Sequence, residues 1–453
     1  MIEIIIIALI SLLTAGTFIT PIFQTIIYNY GKKFRREYEK EHHKTILLVP
    51  VKREPAQVLL RFFRENREIV SRSLATFLIC DEYSLEEIEN IIKELFREKL
   101  TENVIFFLSK SSKNKAQALN KALRSIVSTR DFKIVVVDVD SILTCTSPTN
   151  VDIVSSIWRG YSTIRSLLGR GQEIGYRLFM KMLNGLYMIT GWRPTLGSGL
   201  VLSSRSIREL GAFNEDVILE DVEYSIRAIS RGYRISVFTN YVINVQVPST
   251  YNALLRQQVR WAYGAGELLR KYSRYIMRKP VIGLYLSQYL SYPFQLILAI
   301  VLYLCSIFRI NIPMILQVII LLLIVYTSCT YAIWCLQEIG FKSISDVKSS
   351  LVSINRVNMA YAVMSPRIFA SFLSGIIGVP FRWIPTPKIE TLPPVKDRLR
   401  MYIVELLFSI ILLALLLFSL LEGSIFQLYM IDPVAFTITY VWGTFRVVER
   451  ELT

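Results

Sequence analysis

Two carboxylates placed two positions apart are the residues in this sequence that most clearly suit chemistry. Asp138 and Asp140 directly follow the apolar run IVVV, so both can approach one divalent ion. A hard cation that keeps open positions can then bind a diphosphate. Taken alone, an Asp-x-Asp pair is equally typical of a surface turn. The pair therefore predicts a metal-assisted site only where other motifs agree with it.

A second acidic motif consists of Glu220 and Asp221, which follow a glycine-rich segment at 197–199 and a predicted helix over 204–210. A carboxylate at the start of a helix accepts backbone N–H bonds and stays ionised, which suits a general base. A plain helix cap is the alternative interpretation of this motif.

A third motif, QQVRW at 257–261, brings together Gln257, Arg260 and Trp261. A Trp ring offers a flat face to a sugar, and an Arg offers a forked donor to a phosphate. The alternative is a cationic and aromatic helix end at a membrane interface, where Trp is common.

Histidine and cysteine chemistry is disfavoured by composition. The chain has two histidines, adjacent at His42 and His43, and five cysteines without a Cys-x-x-Cys pair. This excludes a histidine-based triad and supports neither a zinc site nor a disulfide framework. Any chemistry must use carboxylates, the backbone and a bound metal.

The elements that position these motifs alternate between strand and helix. Short apolar runs predict strands over 45–50, 75–80, 104–108 and 134–137, and amphipathic patterns predict helices over 55–66, 85–99 and 115–125. Continuously apolar strands between helices are typical of a parallel sheet covered on both faces. Ligands bind beyond the carboxyl ends of such strands, which is where the acidic motifs fall.

The chain as a whole has the composition of a membrane protein, with 52% hydrophobic and 19% charged residues. An uncharged run near the N-terminus precedes Lys32, Lys33, Arg35 and Arg36, so it predicts an anchor with its N-terminus outside rather than a signal peptide. Further spans are predicted over 281–308, 310–337, 401–421 and 425–445. The segment 358–381 is interpreted as interfacial or re-entrant, because this keeps Arg382, Lys388, Arg446 and Arg450 inside. Five spans result.

These patterns divide the chain into five regions. We expect a transmembrane anchor at 1–31, a cytoplasmic α/β domain at 44–270, a transmembrane hairpin at 280–337, a cytoplasmic or interfacial segment at 338–400 and a second hairpin at 401–446. The net charge of +16 is assigned to cytoplasmic loops and anionic lipid, and no nucleic-acid motif is present.

The ordered set of motifs resembles the signature series of membrane-bound family 2 glycosyltransferases, which include the processive cellulose, chitin and hyaluronan synthases. The resemblance covers about residues 44–261. It rests on PVKRE (50–54), CDE (80–82), KNKAQALNKAL (113–123), DVD (138–140), GSG (197–199), LED (219–221) and QQVRW (257–261). Each motif is weak alone, but their order is specific.

The resemblance implies a GT-A fold, an α/β domain that binds a nucleoside-diphosphate sugar, with UDP favoured, and a Mg²⁺ or Mn²⁺ ion. It implies the following roles by position. Glu54 and Asp81 hold the nucleoside, Lys115 lies near the diphosphate, and Asp138 contacts the donor. Asp140 binds the metal, and Asp221 deprotonates the acceptor hydroxyl. Gln257 and Arg260 bind the diphosphate, while Trp261, Gly199 and Glu220 contact the acceptor. Arg53 stands where the family has Asn, and Glu82 also departs from its pattern.

The favoured function is inverting sugar transfer at the cytoplasmic face of the plasma membrane, with synthesis and extrusion of a polysaccharide. The first alternative is transfer of one sugar to a lipid acceptor, either a glycolipid or a polyprenyl phosphate. A transporter with a regulatory nucleotide-binding domain is a remote alternative, because the predicted spans carry few charges and show no repeat. A catalytically inactive scaffold is disfavoured by the intact carboxylates.

Overall fold

A computed structural model describes residues 2–38, 45–100, 102–109, 111–126, 132–145, 148, 151–339, 343–381, 394–422 and 427–450. The chain forms two compact units. A helical unit contains Met1–Ile26, Ser162–Leu178 and Val247–Thr453, and a sheet unit contains Ile27–Tyr161 and Phe179–Gln246. The start of the predicted α/β domain, residue 44, lies outside the described residues.

The sheet unit contains ten strands. These are β1 (Thr45–Lys52), β2 (Ala75–Asp81), β3 (Val104–Ser109), β4 (Lys133–Val136), β5 (Ser141–Leu143), β6 (Ile153–Val154), β7 (Ile157–Tyr161), β8 (Leu200–Ser203), β9 (Ile235–Ser236) and β10 (Val242–Gln246). Seven of them form one sheet in the order β3-β2-β1-β4-β8-β6-β9, and β5, β10 and β7 form a second, smaller sheet.

Seventeen α-helices are present in the described residues, in both units. They are α1 (Ile2–Gly31), α2 (Ala56–Glu65), α3 (Arg67–Arg72), α4 (Leu85–Arg97), α5 (Lys115–Ile126), α6 (Leu167–Thr190), α7 (Ser204–Leu210), α8 (Glu220–Ser230), α9 (Tyr251–Lys271), α10 (Ser273–Arg278), α11 (Pro280–Leu286), α12 (Ser291–Ile307), α13 (Met314–Ile339), α14 (Ile344–Ile377), α15 (Val395–Met401), α16 (Ile403–Leu421) and α17 (Ile431–Arg450).

The seven-stranded sheet is mixed, which corrects the expectation of a purely parallel sheet. Strands β3, β2, β1 and β4 are parallel, whereas β8 runs antiparallel to both β4 and β6. The parallel half contains every strand that the sequence predicted. Its central strand β1 is almost entirely buried, with Leu48 and Val49 fully inaccessible, which is why its sequence is continuously apolar.

The helices of the parallel half follow local sequence signals. Helix α4 begins with a capping box, in which Ser84 Oγ accepts from Glu87 N–H while Ser84 N–H donates to the Glu87 carboxylate. Its apolar face buries Ile88, Ile91 and Leu95. These crossovers bring the ends of β1, β2 and β4 to one edge of the sheet, where the acidic motifs are found.

The helical unit has a core of its own, built from Ile10 of α1, Leu302 of α12, Leu412 of α16 and Tyr440 of α17 with their neighbours. The turn after α12 and the end of α16 are joined by an ion pair of 2.8 Å between Arg309 and Glu422. These two turns therefore lie on the same side of the bundle, as the predicted hairpins require.

Five described helices are long and apolar enough to cross a membrane, which suggests a membrane protein. They are Glu3–Gly31, Pro280–Ile307, Met314–Ile339, Ile344–Ile377 and Ile403–Leu421. Four of the five match predicted spans. The fifth is α14, whose C-terminal half was predicted to be interfacial, while the predicted span at 425–445 becomes α17 and is not among the five. The placement of α14 at the interface stays a prediction.

Helices α9 and α14 approach each other at the level of their backbones. A Cβ added at Gly266 of α9 would lie 2.2 Å from Phe372 O, and one added at Gly375 of α14 would lie 2.1 Å from Tyr263 O. Ser371 Oγ also donates to Val259 O at 2.8 Å. Only glycine permits this contact, so the two backbones are in direct contact around Gly266 and Gly375.

Candidate active site

The acidic motifs of the sheet unit lie at the carboxyl edge of its parallel half. Asp81 is the last residue of β2, and Glu54 follows the end of β1 by two residues. Asp138 follows the end of β4 by two residues, and Asp140 immediately precedes β5. The structure thus places these four acidic residues at the edge of the sheet that the sequence predicted.

A lysine connects the first acidic motif to the second. The Nζ atom of Lys115, the first residue of α5, lies 2.6 Å from Asp138 Oδ1 and 3.9 Å from Glu220 Oε1. Gly197 closes the group, because a Cβ there would lie 3.1 Å from Asp221 Oδ2 and 3.3 Å from Lys115 Nζ. The ammonium of Lys115 and three carboxylates therefore lie close together, and the small residue at 197 leaves room for them.

The charges of this cluster act on one another. The pKa of Glu220 is raised to about 7, chiefly by burial; the charge of Lys115 opposes this rise and the charge of Asp221 contributes to it. Burial also raises the pKa of Asp221, again against the effect of Lys115. Burial alone would lower the pKa of Lys115, but Asp138, Glu220 and Asp221 outweigh it, and the net pKa is raised. Lys115 therefore stays charged.

Asp221 occupies the helix start that the sequence predicted, as the second residue of α8. Its Oδ1 accepts from Val222 N–H at 2.8 Å, and Thr195 Oγ1 donates to its backbone carbonyl. Burial raises the pKa of the Asp221 carboxyl above its ordinary value, although the charge of Lys115 opposes the rise. A raised pKa brings the group nearer to the range that suits a general base.

The GSG segment is hydrogen-bonded to the first acidic motif. Ser198 Oγ accepts from Asp138 N–H at 3.2 Å and donates to Ser141 Oγ at 2.7 Å. Gly199 N–H donates to Val136 O at 2.7 Å. Gly199 is buried and has a φ of +78°, with room for no side chain beside Ser156. Its predicted contact with the acceptor stays a prediction.

The residues predicted to hold the nucleoside are placed as follows. Asp81 is buried, and its Oδ1 has no hydrogen-bond partner among the described residues. Lys52 Nζ lies 3.6 Å from the other oxygen of Asp81 and 2.8 Å from Glu82. The Glu54 carbonyl accepts from Tyr83 Oη at 2.9 Å. A buried carboxylate oxygen without a donor suits an incoming N–H group.

The donor set of the predicted metal site consists of oxygen atoms, as Mg²⁺ and Mn²⁺ prefer. No group of three His, Cys, Asp or Glu side chains converges within the described parts of the chain. An ion held by one or two carboxylates together with substrate phosphates needs no such group. Asp140 is mostly buried, and its carbonyl accepts from Tyr161 Oη at 2.7 Å, which fixes the turn. The residues present therefore fit a metal that arrives with a diphosphate.

The QQVRW motif lies in the helical unit, within α9. Gln257 and Gln258 are buried, while Arg260 and Trp261 are half-buried. The motif is in the middle of a 21-residue helix, so the alternative interpretation as a helix end is wrong. Arg260 has no side-chain partner within the described ranges, which leaves its guanidinium available to a ligand.

Sequence reasoning missed the hydroxyl groups of Thr195, Ser198 and Ser141. The signal that could have found them is their polarity in segments that are otherwise apolar or glycine-rich. Glu223, a third acidic residue in the first turn of α8, is held by Arg227, whose Nη2 lies 3.0 Å from its Oε2. Arg227 also donates to Leu210 O, so Glu223 has a structural role.

The chain is similar in sequence to known glycosyltransferases. The family model described as "Glycosyl transferase family group 2" matches residues 142–337. A "Probable glycosyltransferase" of Sulfolobus acidocaldarius is 24% identical over 395 residues, which cover 81% of this chain and 83% of the relative. The poly-beta-1,6-N-acetyl-D-glucosamine synthase of Staphylococcus aureus is 26% identical over 270 residues, covering 55% of this chain and 64% of that enzyme.

Plant enzymes match a shorter part. A protein named "Probable glucomannan 4-beta-mannosyltransferase 7" of Oryza sativa is 27% identical over 171 residues, 36% of this chain and 29% of the relative. Among solved structures, the mannosyltransferase PcManGT from Pyrobaculum calidifontis, in complex with GDP-Man and Mn²⁺, has a TM-score of 0.51. It is 14% identical and covers 83% of this chain and 100% of that one.

Over residues 142–337 the chain is similar to the family 2 glycosyltransferases, and its similarity to enzymes named as glycosyltransferases extends beyond that range. Its sheet unit has the GT-A-like α/β fold, and this is combined with several long apolar helices.

Proposed function

We propose that the chain is an inverting glycosyltransferase that moves a sugar from a nucleoside-diphosphate sugar to an acceptor hydroxyl. The observation that carries this proposal is the convergence of Lys115, Asp138, Glu220 and Asp221 at the carboxyl edge of the sheet. A cation beside several buried carboxylates suits a reaction in which a proton leaves one oxygen while negative charge develops on another.

Asp221 acts as the general base. The acceptor oxygen forms a bond to the anomeric carbon, the proton of its hydroxyl passes to the Asp221 carboxylate, and the bond from the anomeric carbon to the diphosphate breaks. The electron pair of that bond leaves with the nucleoside diphosphate. Lys115 stabilises this departing charge, because its ammonium is held in place by Asp138 before the donor arrives.

The divalent ion is held by Asp140, with Asp138 contacting the donor. When bound, the ion supplies positive charge to the diphosphate and so favours its departure. Asp81 and Glu54 hold the nucleoside. The roles of Gln257 and Arg260 in diphosphate binding, and of Trp261, Gly199 and Glu220 in acceptor binding, complete the proposal. UDP is the favoured nucleotide, and Mg²⁺ and Mn²⁺ both suit the oxygen donors.

The acceptor is the growing end of a polysaccharide, which the enzyme extends at the cytoplasmic face of the plasma membrane and extrudes. The names of relatives that synthesise poly-beta-1,6-N-acetyl-D-glucosamine or transfer mannose to glucomannan support the polymer rather than a single transfer. Transfer to a lipid acceptor remains the second candidate, favoured by the small number of helices available for a wide channel.

The test is release of nucleoside diphosphate by the purified full chain from a panel of UDP- and GDP-sugars. Each donor is supplied with Mn²⁺ or Mg²⁺ and with an oligosaccharide or a polyprenyl phosphate. We expect one donor to turn over, faster with its acceptor, and the product length to separate a polymer from a single addition. No nucleoside diphosphate release from any donor, by protein that binds donor, would contradict sugar transfer.

A further inference from the structure

Three arginines from three helices of the helical unit meet at the end of α17. They are Arg356 of α14, Arg398 of α15 and Arg446 of α17. Arg398 Nη1 donates to Glu449 O at 2.7 Å, and Arg446 Nη1 lies 3.0 Å from Glu449 Oε2. Arg356 lies about one turn before Met359, and a Cβ added at Gly443 of α17 would lie 3.3 Å from Met359 O, so α14 and α17 are packed closely beside Arg356. We call these three residues the arginine cluster.

The donors of the arginine cluster are not satisfied by the described protein. The Nε atom of each of the three side chains is buried and has no hydrogen-bond partner among the described residues. Arg398 is only 7% exposed. The acceptor recorded for Arg356 is the sulfur of Met359 at 4.0 Å, which is a weak one. A buried N–H group without an acceptor is costly, so the three Nε atoms point to a ligand that accepts from them.

The charge of the arginine cluster specifies an anion. Within the described ranges, Glu449 is the carboxylate recorded beside the three positive charges, and Arg356 and Arg446 repel each other. An arginine presents a planar fork of donors that matches the oxygens of a phosphate. A phosphate group would therefore remove the repulsion and occupy the unused donors together.

The surroundings of the arginine cluster place this anion at the level of lipid headgroups. One turn before Arg446, Trp442 is 45% exposed, and its neighbour Phe445 is 55% exposed. The two rings stack at 5.8 Å, and the Arg446 guanidinium lies 4.7 Å from the Trp442 ring. Exposed aromatic rings beside arginines are typical of a membrane–water interface.

We propose that Arg356, Arg398 and Arg446 bind the phosphate of a membrane lipid headgroup. This site is separate from the acidic cluster and its occupation does not depend on sugar transfer. The phosphate can belong to a phospholipid, where it is a diester, or to a polyprenyl phosphate, where it is a monoester. Either lipid would fix α14, α15 and the C-terminal end of α17 relative to one another.

The experiment uses the full chain in a neutral detergent, with lipid binding followed by native mass spectrometry and by thermal denaturation. Phosphatidylglycerol, a polyprenyl phosphate and a fatty acid without phosphate are titrated separately. In R356Q we expect the affinity for a phosphate lipid to fall about tenfold, the effect of losing one charge-assisted hydrogen bond. R278Q is the matched control, since it removes an exposed arginine that lies elsewhere, at the end of α10, and should bind lipid as the wild type does.

A second measurement distinguishes a loss of lipid binding from a loss of folding. Without lipid, R356Q should denature at or above the temperature of the wild type, because the repulsion by Arg446 that the substitution removes outweighs the attraction by Glu449. R398K keeps the positive charge but loses the planar set of guanidinium donors, and it should bind phosphate lipid more weakly than the wild type. Whichever of phosphatidylglycerol and the polyprenyl phosphate binds more tightly identifies the source of the phosphate. Equal lipid affinity of R356Q and the wild type, equal binding of the fatty acid, or a lower denaturation temperature of R356Q without lipid would each overturn the proposal.

Discussion

Lys115 Nζ lies 2.6 Å from Asp138 Oδ1, although the two residues are 23 positions apart and come from different elements. The ion pair occupies the carboxyl edge of the sheet, where the charges of Glu220 and Asp221 also act on the lysine. The ammonium of Lys115 thus offsets the repulsion among three carboxylates that would otherwise be brought together without compensation. Much of the behaviour expected of this site follows from that one contact.

Replacing Lys115 with Met should shift the pH dependence of the reaction. Lys115 lowers the pKa values of Glu220 and Asp221, so its removal raises both. A general base works only when deprotonated, and the rising limb of the kcat/KM profile should therefore move to higher pH. Profiles from about pH 5.5 to 9 measure this. K113M, which removes an exposed lysine on the same segment, is the control, and an identical shift in both variants would show a general charge effect.

Replacing Asp221 with Asn should show whether this residue acts as the general base or binds the donor. The amide keeps the shape of the carboxylate but accepts no proton, so turnover should fall about 10²–10⁴-fold while donor affinity changes little. Donor affinity by calorimetry and transfer by product release are the two measurements. E220Q is the matched variant, and near-normal transfer by D221N with loss in E220Q would move the base to Glu220.

Trp261→Ala should give a different pattern, because Trp261 is predicted to stack on the acceptor. Transfer to the acceptor should fall about tenfold or more, the worth of one lost aromatic contact, while hydrolysis of the donor by water should fall less. Equal losses of transfer and hydrolysis would mean that Trp261 supports the fold or the donor site.

Asp140→Ala should weaken donor binding only where a divalent ion is present. The oxygen of Asp140 is one of few available ligands, and its loss should reduce Mn²⁺-dependent affinity for UDP about 10–100-fold. The measurement is nucleotide binding with Mn²⁺ and with excess EDTA. D216A loses the same charge from an exposed position and should behave as the wild type. Full activity in excess EDTA would contradict the proposal that a metal is needed.

Two glycines with similar backbone angles should differ in their tolerance of alanine. Gly199 has a φ of +78° and a Cβ there would lie 2.5 Å from Ile243 Cγ1, whereas Gly191 has a φ of +69° and open space around it. Gly191→Ala should cost roughly 1–2 kcal/mol of unfolding free energy. Gly199→Ala adds a steric clash and should cost at least about 1 kcal/mol more. Thermal unfolding of both variants measures the difference, and equal destabilisation would disprove the clash.

The topology can be tested by cysteine labelling from outside intact cells, in a background without the five native cysteines. Positions 388 and 453, which lie outside the described residues, are predicted to be cytoplasmic and to resist an impermeant reagent. Position 422, at the end of α16, is predicted to be external and should label rapidly. Rapid labelling at 388 would show that α14 crosses the membrane.

The parallel half of the sheet could be predicted because each of its strands is a local apolar run. The predicted strand over 75–80 corresponds to β2 within one residue, and the helix over 115–125 corresponds to α5 within one residue. The antiparallel half could not be predicted in the same way. Strands β6 and β9 have two residues each, and they exist only because β8 and its neighbours lie beside them.

The acidic motifs of the site could be found from residue type and position, but their interactions could not. The resemblance put Lys115 near a diphosphate, and no local pattern indicated its ion pair with Asp138. The pKa of Glu220, about 7, depends on burial that comes from the folded arrangement rather than from the residue's own sequence neighbours. Glu223 shows the converse, since its acidic neighbours suggested chemistry and its contact with Arg227 is structural.

The glycine contacts between α9 and α14 have a mechanical consequence. Because Gly266 and Gly375 allow the two backbones to touch, neither helix can slide or roll against the other without forcing carbonyl groups into each other. A displacement of α14 must therefore be accompanied by a movement of α9. The helix that carries Arg260 and Trp261 would thus respond to whatever moves α14.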